Sequence, residues 1–199
     1  AAQQELDNIA ANTNRIATST QYGKNYLLDG SKAGNGVISG SNLEFLQGGA
    51  NARSSGPNGY EIKITTAATR TEHVGGKPLT QAIIDAGEQV TVTEGGRTLN
   101  FKTQEGRTVE QTLNDLESAI KDAGLNLELL RPDPEQTPNN DPQAIHLRHK
   151  QYGSEHGFTV ASSTGGVLST KGNISELVQN GVDVAGELNG ESAMGRGQV

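Results

Sequence analysis

Apolar positions at three- and four-residue spacing open the chain. Within residues 1 to 20 they form a narrow stripe of Leu6, Ile9, Ala10, Thr13, Ile16 and Ala17. This spacing places one apolar stripe along an α-helix, and the segment holds neither Gly nor Pro, which favours a helix. An isolated helix of this length is marginal in water. The pattern therefore predicts a helix over residues 1 to 20 that packs against a partner.

A Gly-rich stretch follows this helix. Gly23 is expected to stop it, and Asp29-Gly30 is a strong turn signal. Residues 31–59 are rich in Gly, Ser and Asn, with two short apolar islands at 37–38 and 43–46. We expect a loop with β-hairpin fragments here.

Residues 60 to 170 differ in pattern from the Gly-rich stretch before them, and we predict that they form a separate module. Tyr60–Thr65 alternates as a half-buried strand does, and residues 78–86 predict a short helix. Two strands, 89–93 and 98–103, flank a Gly-Gly hairpin turn. Further strands are predicted over 125–130, 144–148 and 158–161, and residues 131–142, which hold four prolines, predict a polar loop.

The main helix of this module has recognisable ends. Thr108 and Gln111 have the spacing of a capping box, and Gly124 is placed as the residue after the helix end. The helix is expected to run to about Ala123 and to bury Val109, Leu113, Leu116 and Ile120. The tail from Gly181 reads as strand, Asn-Gly turn, strand. Together the elements predict an α+β protein, elongated and with modest cores, because apolar residues are only 32% and aromatics 4% of the chain.

Charge and cysteine content exclude several function classes. Asp plus Glu is 23 against 16 for Lys plus Arg, a net charge of −7, which opposes binding to nucleic acid or to an anionic membrane. Cysteine is absent, so disulfides, thiolate metal sites and thiol nucleophiles are excluded. No apolar run reaches the ~18 residues of a membrane span. The sequence predicts no membrane partner and no nucleic-acid partner.

The first thirty residues resemble bacterial flagellin. The segment from Gln3 to Ser31 is similar to the amino-terminal helix and turn of that family's rod domain, called D1. The positions that carry the resemblance are Ile16, Thr20, Gly23, Lys24, Leu27, Leu28, Asp29, Gly30 and Ser31. Flagellins commonly have Phe-Asn-Gly where this chain has Gln21-Tyr22-Gly23. Residues 43–52 resemble a family strand that ends in Gly-Ala-Asn.

Residues 88 to 161 resemble the hook IN insertion motif of flagellins and other flagellar axial proteins. Gln151-Tyr152-Gly153-Ser154 and Phe158-Thr159-Val160 carry this resemblance, and the tail from Asp183 to Gln198 is similar to hairpins of the same motif. The resemblance implies a D1-like stem from residues 1–59 and 171–199 and a hook IN-like outer domain over 60–170. The long terminal D0 helices and the returning D1 helix are expected to lie outside this chain, as in a trimmed core fragment.

The function that the resemblance implies is structural. We expect a secreted subunit of the extracellular flagellar filament, active in motility, whose partners are other flagellin subunits and whose fragment is monomeric. A host flagellin-sensing Toll-like receptor is a further implied partner. The main arginine-containing motif through which the receptor recognises flagellins is expected upstream of this chain. We interpret Gln4, Glu5 and Arg15 as packing positions or as positions at the rim of a receptor interface, and we assign no receptor contact to them.

The search for chemistry gives no catalytic, cofactor-binding or metal-binding residue, and we predict no enzyme. His146 and His149 point to opposite faces of the predicted strand, so a metal site with His156 is disfavoured and the four histidines, including His73, are predicted at the surface. Carboxylate pairs are expected to be solvated; they are Asp115 with Glu117 and Asp133 with Glu135. The resemblance to flagellins implies O-glycosylation of exposed Ser and Thr in the outer domain, for which Thr65-Thr66 and Ser162-Ser163-Thr164 are candidates, although ordinary strand-edge Ser and Thr are the favoured interpretation. Asn173 heads an acceptor triplet taken as unmodified.

Two alternatives stay open from the sequence. One is a flagellar cap or hook-associated protein, also structural. The other is a surface glycan-binding or adhesin-type module built on residues 60 to 170.

Overall fold

The computed structural model describes residues 2–19, 21–22, 25–26, 36–41, 43–46, 48, 54–131 and 143–199. The chain divides into two compact units, Ala1–Tyr60 and Glu61–Val199. The predicted α+β class with a β-rich module is confirmed, since the second unit combines three antiparallel sheets with two helices.

The first unit contains the predicted amino-terminal helix. Helix α1 spans Ala2–Ser19, and the short strands β1 (Gln21–Tyr22) and β2 (Asn25–Tyr26) pair antiparallel directly after it. Residues 36–41 and 43–46 have no strand, so the hairpin fragments predicted for the two apolar islands are wrong over these residues. Among the described residues, neither island pairs with a strand. The predicted turn at Asp29-Gly30 lies outside the described residues.

The second unit follows the predicted order of elements, with strands added. Its elements are β3 (Ile62–Thr66), β4 (Arg70–Val74), α2 (Gln81–Asp85), β5 (Gln89–Glu94), β6 (Arg97–Lys102), α3 (Val109–Asp122), β7 (Leu127–Leu129), β8 (His146–Tyr152), β9 (Phe158–Ser162), β10 (Glu176–Leu177), β11 (Ala185–Leu188) and β12 (Glu191–Met194). They form sheets of order β10-β9-β5-β6, β4-β8-β7 and β12-β11-β3.

Helix α3 has the ends that the sequence predicts. The Gln111 amide donates to the Thr108 hydroxyl at 3.2 Å, and the Thr108 amide donates to the Gln111 side chain at 3.0 Å, which completes the capping box. Gly124 follows the helix with φ +65°, a conformation that glycine adopts without strain. The helix packs against β6 and β7 and buries the apolar positions expected of it, although Val109 is only half-buried.

One hydrophobic core joins α2, α3 and the first two sheets of the second unit. Its fully buried members include Ile84, Val92, Leu116, Leu147 and Val167. Close packing of this kind makes core volume changes costly. This core fixes the positions of α3, the β5–β6 hairpin and β8, which carry the clefts described below.

The third sheet differs from the other two in burial. All five residues of β3 and all four of β12 are exposed, whereas the sequence predicts β3 as half-buried. The alternation is present, but the described part of the chain covers the face that bears Ile62 and Ile64 only in part, since each is 49% exposed. This sheet is called the exposed sheet below, and the sheet β10-β9-β5-β6 is called the packed sheet.

The sequence predicts neither β4 nor β10 in the second unit, and it predicts neither β1 nor β2 in the first unit. The β4 segment reads Arg-Thr-Glu-His-Val, with no apolar alternation, and it is a strand because it pairs with β8. Its Thr71 is fully buried, and the hydroxyl donates to the His156 carbonyl. The two-residue β10 pairs with β9. Residues 171–199 lie in the compact unit Glu61–Val199, and the division into a stem and an outer domain stays a prediction about the protein's architecture.

Candidate functional site

The second unit has a cleft of about 510 Å³ where the β5–β6 turn meets the end of α3. Its lining residues are Glu94, Gly95, Arg97, Lys121, Gly124, Leu125, Asn126 and Lys150. Three of these carry positive charge and one carries negative charge. We call this site the cationic cleft.

Arg97 is held in this cleft by the end of helix α3. Its Nη1 donates to the Gly124 carbonyl at 2.6 Å. A Cβ at Gly124 would lie 3.1 Å from that nitrogen, so a glycine at this position suits both the backbone turn and the close approach of the guanidinium. The negative end of the helix dipole further favours a cation here.

Among the described residues that line the cationic cleft, Glu94 is the only carboxylate, and other protein groups bind it. One oxygen accepts the Asn126 amide at 3.0 Å, and the other lies 3.3 Å from His149 Nε2. Its side chain is only 14% exposed. Glu94 therefore closes the inner wall of the cleft rather than neutralising the lysines at its mouth.

Lys121 and Lys150 are the two lysines of this cleft. Within the described ranges, neither ammonium group has a hydrogen bond or an ion pair. Lys121 lies in the last turn of α3 and Lys150 is an exposed residue of β8. The Lys150 backbone amide donates to the Asn126 carbonyl at 2.9 Å, which fixes where this strand position lies against the cleft.

A second cleft, of about 280 Å³, is lined by Tyr152, Glu155, His156, Asp183, Arg196 and Gly197. Asp183 accepts the Ser154 hydroxyl and amide and the Gly197 amide. These hydrogen bonds, that of the Ser154 hydroxyl first, lower the pKa of Asp183. Arg196 is bound to Glu155, which raises the pKa of Arg196. Asp183, Glu155 and Arg196 already bind other protein groups, so few charged groups in this cleft remain to bind a ligand.

The four histidines were predicted at the surface, and for two of them this is wrong. His146 and His149 are 4% and 1% exposed. His146 Nε2 binds the Glu72 carboxylate, while His149 lies beside Glu94 and stacks on His156 with ring centroids 5.0 Å apart. Burial is possible because each ring has a carboxylate partner, and these partners lie 55 or more residues away in the sequence. The two histidines contact different carboxylates, His146 that of Glu72 and His149 that of Glu94.

The other residues considered in the sequence have ordinary surroundings. Asp115 is paired with Arg107 at 2.9 Å, whereas Asp133 and Glu135 lie outside the described residues. No group of three His, Asp or Glu residues in the described part of the chain could hold a metal ion, and no described helix has the length and apolar character needed to cross a membrane.

The candidate hydroxyl runs divide by burial. Thr65 and Thr66 are exposed, as a modification would require. Ser162 is 2% exposed and its hydroxyl is bound to the Thr164 carbonyl and to amides of residues 168–169, so its prediction as an exposed candidate is wrong. The Ser162 side chain faces inward because β9 alternates from Phe158 and places this position on the core side.

Helix α1 presents apolar and polar residues to solvent. Gln4, Glu5 and Arg15 are exposed. Of the predicted apolar stripe, the described side chains of Ile9, Ala10 and Thr13 are exposed as well, Ile9 by 59%.

Sequence reasoning missed the cationic cleft. Arg97, Lys121 and Lys150 are separated by more than twenty residues at each step, and none belongs to a motif. Two local signals in the sequence could have indicated part of this cleft. Arg97 is a basic residue directly after a Gly-Gly turn, and Lys121 is a basic residue in the last turn of a predicted helix. Only the packing of α3 between β6 and β7 brings them together.

No protein-family model and no curated protein matches the chain, but several solved structures resemble it. One is the flagellar cap protein FliD D2-D3 domains from Escherichia coli, with 12% identity, TM-score 0.48, and coverage of 75% of this chain and 78% of that chain. Another is FliD from Bdellovibrio bacteriovorus, with 13% identity, TM-score 0.42, and coverage of 69% and 76%. The FliD D1-D2-D3 domains from Escherichia coli match at 12% identity and TM-score 0.46 over 69% of this chain. The chain spans 42% of that structure.

Proposed function

We propose that the chain is an extracellular structural component of the bacterial flagellum, a flagellin whose amino-terminal helix takes part in assembly. The observation that carries this proposal is the exposure of Ile9, Ala10 and Thr13, the described side chains of the apolar stripe of α1. Ile9, 59% exposed, lies at the centre of the stripe on helix α1, and helices in proteins gain most of their stability by packing such an apolar face. The flagellin-like sequence from Gln3 to Ser31 coincides with this helix and the strands after it.

Packing of α1 against neighbouring subunits would bury this stripe. Identical helices that repeat along a polymer can cover one another's apolar positions, as coiled-coil seams do. Residues 60–170, the outer domain that the resemblance implies, would then face solvent. The short strands of this domain limit edge pairing between neighbouring molecules, and the net charge of −7 keeps them apart.

The second candidate is the flagellar cap or hook-associated protein that the sequence left open, the class to which the similar solved structures belong. It uses the same assembly chemistry at a different position in the flagellum. Both candidates are structural, and we propose no catalytic role. A host flagellin-sensing Toll-like receptor stays a predicted partner without assigned contact residues.

The location of the protein on the cell tests the proposal and separates the two candidates. Antibodies against Glu61–Val199, detected by immunogold electron microscopy on intact cells that express the gene, should label flagella along their whole length. Labelling confined to the distal tip or the hook junction would replace flagellin by the second candidate. Flagella without any label would overturn a flagellar role.

The role of α1 is tested by a matched pair of substitutions in the native gene. Ile9→Lys places a charge in the centre of the apolar stripe and should abolish or shorten the filaments, because the buried charge has no partner. Ala11→Lys adds the same charge about half a turn away, on the polar face, and should leave filaments and swimming unchanged. Normal filaments in both variants would show that this stripe is not an assembly surface.

A further inference from the structure

The cationic cleft concentrates positive charge on an acidic chain. The protein carries a net charge of −7, yet Arg97, Lys121 and Lys150 line one cleft whose single carboxylate, Glu94, is held by internal contacts. Cations that share a concave surface repel one another unless an anion lies between them. A need for solubility alone therefore does not explain why three cations share one cleft.

A role in helix capping explains part of this cluster but not all of it. Arg97 binds the Gly124 carbonyl at the end of α3, and Lys121 lies in the last turn, where a cation stabilises the helix. Lys150 belongs to β8 and makes no side-chain hydrogen bond or ion pair within the described residues. Because Lys150 comes from β8 and lines the same cleft as Arg97 and Lys121, helix capping does not account for its presence there.

The lining also indicates what kind of ligand would fit. The described lining residues include no aromatic side chain, so they offer no stacking surface to a neutral sugar ring or a nucleobase. The volume of about 510 Å³ lies within the usual range for small-molecule sites. The guanidinium keeps N–H donors beyond the one given to Gly124, and each ammonium offers three, which suits a group rich in acceptor oxygens.

We propose that the cationic cleft is a binding site for a polyvalent oxyanion, the sulfate or phosphate groups of an acidic saccharide or a free inorganic anion of the same chemistry. Lys150 and Lys121 bind the anion from the two sides, and Arg97 orients it from the floor. Glu94 closes the inner wall. The site lies wholly in the second unit and does not depend on the flagellar proposal.

Binding to the intact 199-residue chain tests this site by isothermal titration calorimetry at low, constant ionic strength. The probes are sucrose octasulfate, sodium pyrophosphate and neutral sucrose. Saturable binding of octasulfate or pyrophosphate without sucrose binding is expected. Tighter binding of octasulfate identifies the saccharide source, and equal binding per charge identifies the free anion. No saturable binding of either anion overturns the proposal.

Matched lysine variants locate the binding. Lys150→Gln and Lys121→Gln should each weaken binding about tenfold, as expected for one charge-assisted contact, and Lys150→Arg should retain it. Lys102→Gln removes the same charge from an exposed position on β6 outside the cleft and should change affinity by less than about twofold. Equal weakening by all three Gln variants would show attraction to net charge alone and would overturn the assigned site. A cooperative urea unfolding transition confirms that each variant folds, and the midpoint of Lys121→Gln should lie slightly below the parent's because the last turn of α3 loses its cation.

Discussion

The packed sheet and the exposed sheet of the second unit are built from similar hairpins but differ in what covers them. In the packed sheet, Val90 and Val92 are at most 1% exposed, whereas Ile62 and Ile64 of the exposed sheet are each 49% exposed. Tight turns at Gly95-Gly96 and at Asn189-Gly190 close the two hairpins. Turn chemistry and alternation thus establish strand pairing in both sheets, and burial depends on whether another element lies on the apolar face.

Polar contacts contribute a larger share of the stability of the exposed sheet than of the packed sheet. The Glu61 amide donates to the Asn189 side chain at 2.7 Å, and the Asn189 amide donates to the Glu61 carbonyl. Lys63 lies 3.6 Å from Glu187, but both side chains are exposed, so this pair contributes little. We infer that the exposed sheet is the less stable part of the unit and opens locally before the core does.

The largest expected difference between the two regions comes from truncating one aliphatic side chain in each. Leu116→Ala removes a fully buried side chain of α3 and should lower the free energy of unfolding by about 2–5 kcal/mol, because it leaves a cavity. Ile64→Ala should cost less than about 1 kcal/mol. Urea unfolding of both variants measures the contrast. An equal loss for Ile64→Ala, especially one that depends on protein concentration, would show that the exposed sheet is covered in solution.

A glycine in the exposed sheet should have an intermediate effect. A Cβ at Gly186 would lie 2.3 Å from the Lys63 carbonyl oxygen across the bulge between β11 and β3. Gly186→Ala should therefore push the strands apart and cost about 1–3 kcal/mol, with faster amide hydrogen exchange in β3 and unchanged exchange in β5. Ser192→Ala, at an exposed position of β12, is the control and should stay within about 0.5 kcal/mol. Unchanged exchange in β3 would mean that this pairing tolerates the added methyl group.

The smallest expected effect concerns how the free energy of unfolding changes at acidic pH. Hydrogen bonds from the Ser154 hydroxyl, the Gly197 amide and the Ser154 amide lower the pKa of Asp183, so the folded state binds fewer protons than the unfolded state below the ordinary aspartate pKa of about 3.9. This stabilisation is complete above that pH and is lost as the pH falls through the lowered pKa.

Asp183→Asn should accordingly destabilise the protein by a constant amount between pH 5 and 7, and its difference from the parent should shrink below about pH 4. Ser154→Ala removes the hydroxyl that lowers the pKa of Asp183 most. It should likewise destabilise the protein near neutral pH, with a difference from the parent that shrinks below about pH 4. Urea midpoints measured from pH 3 to 7 test both variants. A parent–variant difference that grows toward low pH would contradict the assigned hydrogen bonds.

The sequence anticipates elements whose signals are local. The capping box of Thr108 and Gln111, the Gly-Gly turn of the β5–β6 hairpin and the Asn189-Gly190 turn all appear as predicted, since each depends on residues within a few positions of one another. It misses β4, because Arg70–Val74 becomes a strand only through its pairing with β8. It also misplaces His146 and His149 at the surface, because the carboxylates that permit their burial are distant in the chain.

The sequence by itself determined the α+β class, the order of most elements and the amphipathic helix α1, because periodicity and turn chemistry act over short distances. Only the tertiary structure decided which sheet is covered and which histidines are buried. It also decided that Arg97, Lys121 and Lys150 share one cleft. Burial and charge clustering depend on which distant segments pack together, and that packing has no signature in any single stretch of residues.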